Sequence, residues 1–213
     1  MKYVVSIVQM LLILIAICPY DGHSQSIETE LDAKVLDFLQ SQRQNWHDWN
    51  VSYDDGRLLY DIIINNGYTR ALEIGTSTGH SSIWIAWALS KTGGRLITLE
   101  IDADRHARAM ENFRRAGLSD YIDAQLGDAH QIVKKLPGPF DFVFSDADKA
   151  WYKQYFIDLY PKLQPGGCFT AHNVRNAYGG IKDFLDHVRQ QPDMQTTIDK
   201  TSRSGISISY KKP

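Results

Sequence analysis

The sequence is poor in cysteine and carries no excess of basic residues. Two cysteines occur among 213 residues, and Cys18 lies in an apolar segment near the N-terminus. Cys168 alone cannot form an internal disulfide, so we expect the fold to be stable without one and interpret Cys168 as a core residue of a strand. The formal net charge of -2 provides no positive field, which disfavours nucleic acid as a partner.

The sequence also lacks the glycine pattern of a dinucleotide site. The stretch "LEIGTSTGHSS" places Gly75 and Gly79 where they allow a tight turn and close approach of a ligand to the backbone. Their spacing is not G-x-G-x-x-G, so a nicotinamide cofactor is not indicated and a nucleotide-linked oxidoreductase is disfavoured. Taken alone, the turn is either structural or part of a ligand site.

One long apolar run is present, "YVVSIVQMLLILIAIC", directly after Lys2. A basic start, an apolar centre and the small residues Gly22 and Ser24 before Gln25 are typical of a signal peptide. The run is short for a membrane span, which needs about 20 apolar residues. We predict that residues 1–24 are a signal peptide, or alternatively a membrane anchor, and that residues 25–213 form one exported domain. That domain would be periplasmic or secreted, and would contact a membrane only if the N-terminal segment stays uncleaved.

Strand and helix patterns alternate from residue 70 onward, as in "RALEIG" followed by "GHSSIWIAWALSK". A helix is predicted over "GRLLYDIIINNG", ending at Gly67, and the C-terminal segments on either side of Ser204 and Gly205 predict a hairpin. The pattern indicates an α/β fold with a doubly wound, mainly parallel sheet and an antiparallel C-terminal hairpin. Ligands of such sheets bind beyond the carboxyl ends of the strands.

Acidic residues stand at or near the ends of the first three predicted strands of this sheet. Glu73 lies inside an apolar strand, where it needs a partner such as the amino group of a ligand. Glu100 follows the glycine turn at the distance expected of a carboxylate that accepts hydrogen bonds from a ribose diol. Asp102 is predicted to cap the next helix. Asp128 could cap its own helix or meet an adenine edge.

The fourth strand ends in "FVFSDADKAWYKQYF", which combines two carboxylates with a lysine. Asp148 directly precedes a helix and is predicted to be its N-cap. Asp146 closes the strand, and Lys149 lies on the first helical turn, an unfavourable place for a cation. Lys149 is therefore expected to have a partner or a chemical role. His172 and Asn173 end the fifth strand and should meet Asp146 across the cleft.

Together, "LEIGTSTGHSS", "LEID", "GDA", "FDFVFSDADKAWY" and "LQPGGCFTAHNV" resemble the class I cation-dependent O-methyltransferases, the catechol and caffeoyl-CoA O-methyltransferase group. The resemblance spans about Ser52 to Pro213. It implies a Rossmann-like methyltransferase fold that binds S-adenosylmethionine and methylates a hydroxyl of a small, aromatic acceptor. It also implies that the protein can form a homodimer. The alternative is a non-catalytic S-adenosylmethionine-binding protein, or pseudoenzyme, with the same fold.

The resemblance also implies roles for individual residues. The methionine end of the cofactor falls at Glu73, Gly75, Thr76 and Ser81, its ribose at Glu100, its adenine at Asp128 and Ala129, and a further contact at Asp148. Asp146 and Asn173 match metal ligands, and Lys149 matches the general base.

His172 departs from the family, which usually has Asp-Asn where this chain has His172-Asn173. Imidazole suits softer ions than magnesium. The metal set Asp146, His172 and Asn173 could therefore hold a softer divalent ion, hold magnesium weakly, or hold no metal. Without a metal, His172 could be the base, oriented by Asp146, or simply a histidine whose hydrogen bonds are satisfied within the protein.

Overall fold

A computed structural model of the protein describes residues 22–46 and 48–213. The predicted signal peptide or anchor of residues 1–24 lies almost wholly outside these residues and stays a prediction. Over the described ranges, no helix combines the length and the apolar character needed to cross a bilayer.

Seven strands form one sheet in the order β3-β2-β1-β4-β5-β7-β6. Their bounds are β1 Arg70–Ile74, β2 Arg95–Glu100, β3 Ile122–Leu126, β4 Phe140–Ser145, β5 Leu163–His172, β6 Met194–Asp199 and β7 Ile206–Lys211. The strands from β3 to β5 pair in parallel, whereas β7 pairs antiparallel with both β5 and β6. The predicted doubly wound sheet with an antiparallel C-terminal hairpin is thereby confirmed.

Seven α-helices flank the sheet within the described part of the chain. They are α1 Gly22–Ser41, α2 Tyr53–Asn66, α3 His80–Thr92, α4 Ala103–Ala116, α5 Ala129–Lys135, α6 Tyr152–Leu159 and α7 Gly179–Arg189. Helix α2 starts before the glycine predicted to open it, because Ser52 and Asp55 form a capping box at its N-terminus. It ends at Gly67 as predicted, with φ 65°.

Two apolar clusters cover the two faces of the sheet. Alternate residues of a strand point to opposite faces, so Phe142 joins the cluster beneath α2 and α3, while Val143 joins the cluster beneath α6 and α7. Cys168 is fully buried in β5, as expected. At the amino end of the sheet, buried Asp141 accepts hydrogen bonds from the backbone amides of Thr69 (2.7 Å) and Arg70 (2.8 Å). The contacts of Asp141 therefore join the strands at the amino end of the sheet, and the cleft lies at the opposite, carboxyl end.

Candidate active site

A cleft of about 720 Å³ lies at the carboxyl ends of the parallel strands. Nine of the residues predicted for the site line it: Gly75, Glu100, Asp128, Ala129, Asp146, Asp148, Lys149, His172 and Asn173. Because the parallel strands end at the same edge of the sheet, the cleft brings together residues as far apart in sequence as Gly75 and Asn173, which are 98 positions apart.

The turn after β1 brings the backbone of β1 against that of β4. Gly75 has φ 100°, and a Cβ at this position would lie 2.6 Å from the carbonyl oxygen of Asp146. The amide of Asp146 donates to the carbonyl of Ile74 at 2.8 Å. Only glycine combines this conformation with this approach, so Gly75 fixes where Asp146 enters the cleft.

Glu100 is held rigidly at the end of β2 by three backbone amides. Its Oε2 accepts from the amide of Ser77 at 2.7 Å, and its Oε1 accepts from the amides of Ile101 and Asp102 at 3.0 Å each. Ser77 lines the same cleft, and its buried Oγ has no hydrogen-bond partner among the described residues. A fixed carboxylate beside an unpaired hydroxyl suits a ligand that presents vicinal hydroxyls.

Three predicted cofactor residues lie behind the wall of the cleft rather than in its lining. Glu73 is fully buried, and its Oε2 accepts from the hydroxyls of Thr98 (2.6 Å) and Ser82. Burial raises the pKa of Glu73 to about 7, although these hydrogen bonds oppose the shift. Thr76 shares a hydrogen bond with Thr98, and Ser81 is buried at the start of α3. Protein hydroxyls thus satisfy one oxygen of Glu73, while its buried Oε1 has no hydrogen-bond partner among the described residues.

Asp128 and Asp148 both cap helical segments. Asp128 accepts from the amide of His130 at 2.9 Å, and Asp148 accepts from the amide of Ala150 at 2.9 Å. The ring of His130 stacks on Trp151 with centroids 3.9 Å apart, and its Nε2 lies 3.6 Å from Asp148. His130 lines the cleft but was not predicted, although it directly follows the quoted "GDA". The predicted cap at Asp102 is also present, accepting from the amide of Arg105 at 2.9 Å.

The most unusual feature is an alternating row of charges, Asp55, His172, Asp146 and Lys149, which we call the charge chain. Lys149 Nζ donates to Asp146 Oδ1 at 2.6 Å. His172 Nδ1 lies 3.1 Å from Asp146 Oδ2, and His172 Nε2 lies 3.1 Å from Asp55 Oδ2. His172 is 4% exposed and Asp55 2% exposed. Asp55 was missed because it stands 117 residues from His172 and its local pattern indicates only a helix cap.

The two carboxylates beside His172 favour the protonated ring. Burial disfavours the charged ring, but hydrogen bonds to Asp146 and Asp55 outweigh burial and raise the pKa of His172 to about 9. Burial likewise acts against the Asp55 carboxylate, yet hydrogen bonds, chiefly from His172, hold its pKa below the ordinary value. Each ring nitrogen therefore has a carboxylate partner, and the ring is fixed between the two.

This arrangement does not fit the metal site predicted at Asp146, His172 and Asn173. Both ring nitrogens of His172 already face carboxylate oxygens, and both oxygens of Asp146 already have partners, in Lys149 and His172. Across the part of the chain that is described, no group of three or more His, Cys, Asp or Glu residues is arranged to hold a metal ion. With both nitrogens engaged, His172 also has no free lone pair to act as a base.

Comparison with known proteins agrees with this architecture. The pattern of a protein family described as "O-methyltransferase" matches residues 23–200. A catechol O-methyltransferase of Niastella koreensis is 45% identical over 152 residues, which cover 68% of this chain and 66% of that protein. Caffeoyl-CoA O-methyltransferase 2 of Zea mays is 32% identical over 137 residues, covering 60% of this chain and 52% of that protein. The alignments thus span about two thirds and one half of these relatives.

A solved structure has the same fold over nearly its whole length. It is the O-methyltransferase from Bacillus cereus in complex with SAH, with a TM-score of 0.74 and 28% sequence identity. The superposition covers 90% of this chain and 97% of the other.

Proposed function

Since this chain belongs to the O-methyltransferase family, we propose that it transfers a methyl group from S-adenosylmethionine to a hydroxyl of a small aromatic acceptor. The observation that carries the proposal is the pair formed by Glu100 and Ser77 at the end of β2. There a fixed carboxylate and an unpaired buried hydroxyl face the cleft.

We place S-adenosylmethionine along the cleft. Glu100 and Ser77 would hold the ribose hydroxyls, and Asp128 and Ala129 would lie beside the adenine. The methionine end would follow the Gly75 turn, which lines the cleft. When bound, S-adenosylmethionine supplies a sulfonium methyl group, so that an oxygen–carbon bond forms as the sulfur–carbon bond breaks and neutral S-adenosylhomocysteine leaves.

Lys149 is the residue to which we assign the proton of the acceptor hydroxyl. Its side chain is 37% exposed, lines the cleft and reaches Asp146 at 2.6 Å. Lys149 rests paired with Asp146 and first gives up a proton to solvent. Its amine then accepts the proton of the acceptor hydroxyl as the oxygen attacks, which restores the ion pair with Asp146. The protein's other contribution is alignment, because in-line displacement depends on the position of both reactants.

An aromatic acceptor is supported by the rim of the cleft. Trp49 is 81% exposed there, with the guanidinium of Arg105 4.5 Å from the centre of its ring. Tyr155 also lines the cleft, although its side chain is largely buried. An exposed aromatic ring such as that of Trp49 offers a stacking surface for a planar acceptor. The names of the two relatives, which mention catechol and caffeoyl-CoA, point in the same direction.

Calorimetry with S-adenosylmethionine, followed by methyl transfer to a panel of phenols and catechols, tests the proposal. We expect saturable cofactor binding and turnover of at least one acceptor. Lys149→Arg, which keeps the cation but not an effective base, should lose turnover and retain cofactor affinity. Lys153→Arg is the matched control, because Lys153 is exposed on α6.

Two results would change the assignment. Absence of S-adenosylmethionine binding would refute the proposal, because Glu100 and Ser77 would then have no cofactor to hold. Binding without turnover of any acceptor would favour the non-catalytic cofactor-binding protein instead. The observation that favours this non-catalytic alternative is the histidine at position 172, where the family usually has aspartate.

We also propose that the protein is exported, on the strength of the apolar run after Lys2 and the small residues before Gln25. N-terminal sequencing of the mature protein should begin near Gln25. An intact Met1 would contradict cleavage, and fractionation would then show whether the segment anchors the protein to a membrane.

A further inference from the structure

The charge chain surrounds Asp146, the residue that the family resemblance assigned to a metal, with nitrogen partners. Lys149 Nζ lies 2.6 Å from Oδ1 and His172 Nδ1 lies 3.1 Å from Oδ2. Both oxygens that a divalent cation would need are therefore already engaged. Entry of a metal would have to displace both side chains and then leave His172 buried between Asp55 and the ion.

Asp55 makes this arrangement hard to undo. Its Oδ2 receives His172 Nε2 at 3.1 Å, the hydroxyl of Ser52 at 2.8 Å and the amide of Ser52 at 3.3 Å. The same carboxylate therefore closes the capping box of α2 and fixes the ring of His172. Rotation of the ring out of this position would leave the buried Asp55 carboxylate without its contact to His172, which is unfavourable.

Donors and acceptors within the chain also match. Two carboxylates, Asp55 and Asp146, face two nitrogen-bearing side chains, His172 and Lys149, and three of the four side chains are largely buried. An added ion would have to break these hydrogen bonds before it reached the carboxylate oxygens.

We propose that the charge chain replaces the divalent cation of the family, so that this protein catalyses methyl transfer without a metal, with Asp55 as the positioning residue. The inference rests on the proposed function. In this arrangement Lys149 contacts the acceptor, while His172 and Asp55 act through Asp146 by fixing its orientation and its charge.

Metal binding and metal dependence can be measured on the full chain. We expect no saturable Mn²⁺ binding by electron paramagnetic resonance, and turnover that is unchanged by an excess of EDTA. S-adenosylmethionine binding is measured in the same samples, so a failure of the proposed function appears as loss of cofactor binding. Saturable Mn²⁺ binding together with turnover that stops in EDTA would overturn the metal-free proposal while leaving the methyltransferase assignment intact.

His172→Asp is expected to create a metal site and therefore gives a positive test of the proposal. The substitution places a third carboxylate beside Asp55 and Asp146, and oxygen ligands are those preferred by Mn²⁺ and Mg²⁺. We expect its melting temperature to fall by roughly 10 °C without metal and to recover when Mn²⁺ is added, with Mn²⁺ binding visible by resonance. His172→Asn removes the charge without adding a carboxylate and should not respond to Mn²⁺. Equal responses of wild type and His172→Asp to Mn²⁺ would contradict the proposal.

Asp55→Asn tests the positioning role, and Asp54→Asn is the matched control because Asp54 is exposed in the same helical turn. At neutral pH, ¹⁵N spectra should show both ring nitrogens of His172 protonated in wild type and in Asp54→Asn. In Asp55→Asn we expect the neutral ring and a fall in kcat of tenfold or more with little change in the KM for S-adenosylmethionine. A protonated ring and unchanged kcat in Asp55→Asn would exclude Asp55 as the positioning residue.

Discussion

Gly75→Ala should destabilise the protein through two separable effects. Gly75 has φ 100°, and a left-handed conformation costs a residue with a Cβ roughly 1–2 kcal/mol. The new Cβ would also stand 2.6 Å from the carbonyl oxygen and 2.9 Å from the carbonyl carbon of Asp146. These are backbone atoms, so relief requires a shift of the β4 end, and overpacking of this kind costs about 1–3 kcal/mol. We expect a total loss of about 2–5 kcal/mol in the free energy of unfolding.

Gly93→Ala separates the two effects. Gly93 ends α3 with φ 75°, and a Cβ there would meet no atom within 4 Å. Urea unfolding of the two variants should show a loss of about 1–2 kcal/mol for Gly93→Ala and a larger loss for Gly75→Ala. Cofactor affinity should fall in Gly75→Ala alone, because only that substitution moves Asp146. Equal losses of stability would refute the contact between the β1 turn and β4 as the source of the difference.

Three further substitutions or titrations test other parts of the structure. Glu100→Gln should weaken the affinity for S-adenosylmethionine roughly 30-fold or more by calorimetry, because hydrogen bonds to a charged group are worth about 1.5–3 kcal/mol each. Glu111→Gln, at an exposed position, should leave this affinity unchanged. Equal affinities of the two variants would refute the ribose assignment. Asp141→Asn should cost about 2 kcal/mol in urea unfolding through two backbone amides at the start of β1, without changing cofactor affinity. His80, whose pKa is lowered to about 4 mainly by burial, should remain neutral at pH 5 by NMR, and protonation near pH 6.5 would contradict its buried position.

His80 and Glu73 have opposite effects on the pH dependence of the free energy of unfolding. Between pH 4 and 6.5 the unfolded chain binds a proton at His80 that the folded protein does not, so this stabilising contribution is lost as the pH falls. Glu73, with its pKa raised to about 7, has the opposite effect between pH 4.5 and 7, since the folded protein holds the proton there. The two contributions oppose each other over most of this range. A site-specific measurement is therefore more informative than a pH profile of overall stability.

Local rules predicted much of this protein because they depend on neighbouring residues. The caps at Asp102 and Asp148 follow from a carboxylate directly before a helical pattern. Glu100 follows from the end of an apolar strand at the expected distance from a glycine turn. Ser77 was missed because its importance lies in a hydroxyl left without a partner, which depends on three-dimensional packing rather than on spacing.

The partners of charged residues were harder to predict because they come from distant segments. Glu73 was expected to need a ligand's amino group, but Thr98 reaches it from the neighbouring strand, and Ser82 from the helix that follows. His172 was recognised as a departure from the family, yet its outcome depends on Asp55, which a capping pattern accounts for completely. A residue with a sufficient local role gives no sign of a second, long-range one.

The family resemblance and the observed contacts lead to different expectations for Asp146. Motif matches at Asp146 and Asn173 suggested a metal, although the metal depends on a carboxylate at position 172 that is absent. The histidine does not merely remove a ligand, because Asp55 turns it into a buried cation that satisfies Asp146 directly. Under the metal-free proposal, the contacts of His172 and Lys149 with Asp146 take the place of the ion, and Asp55 holds His172 in that position.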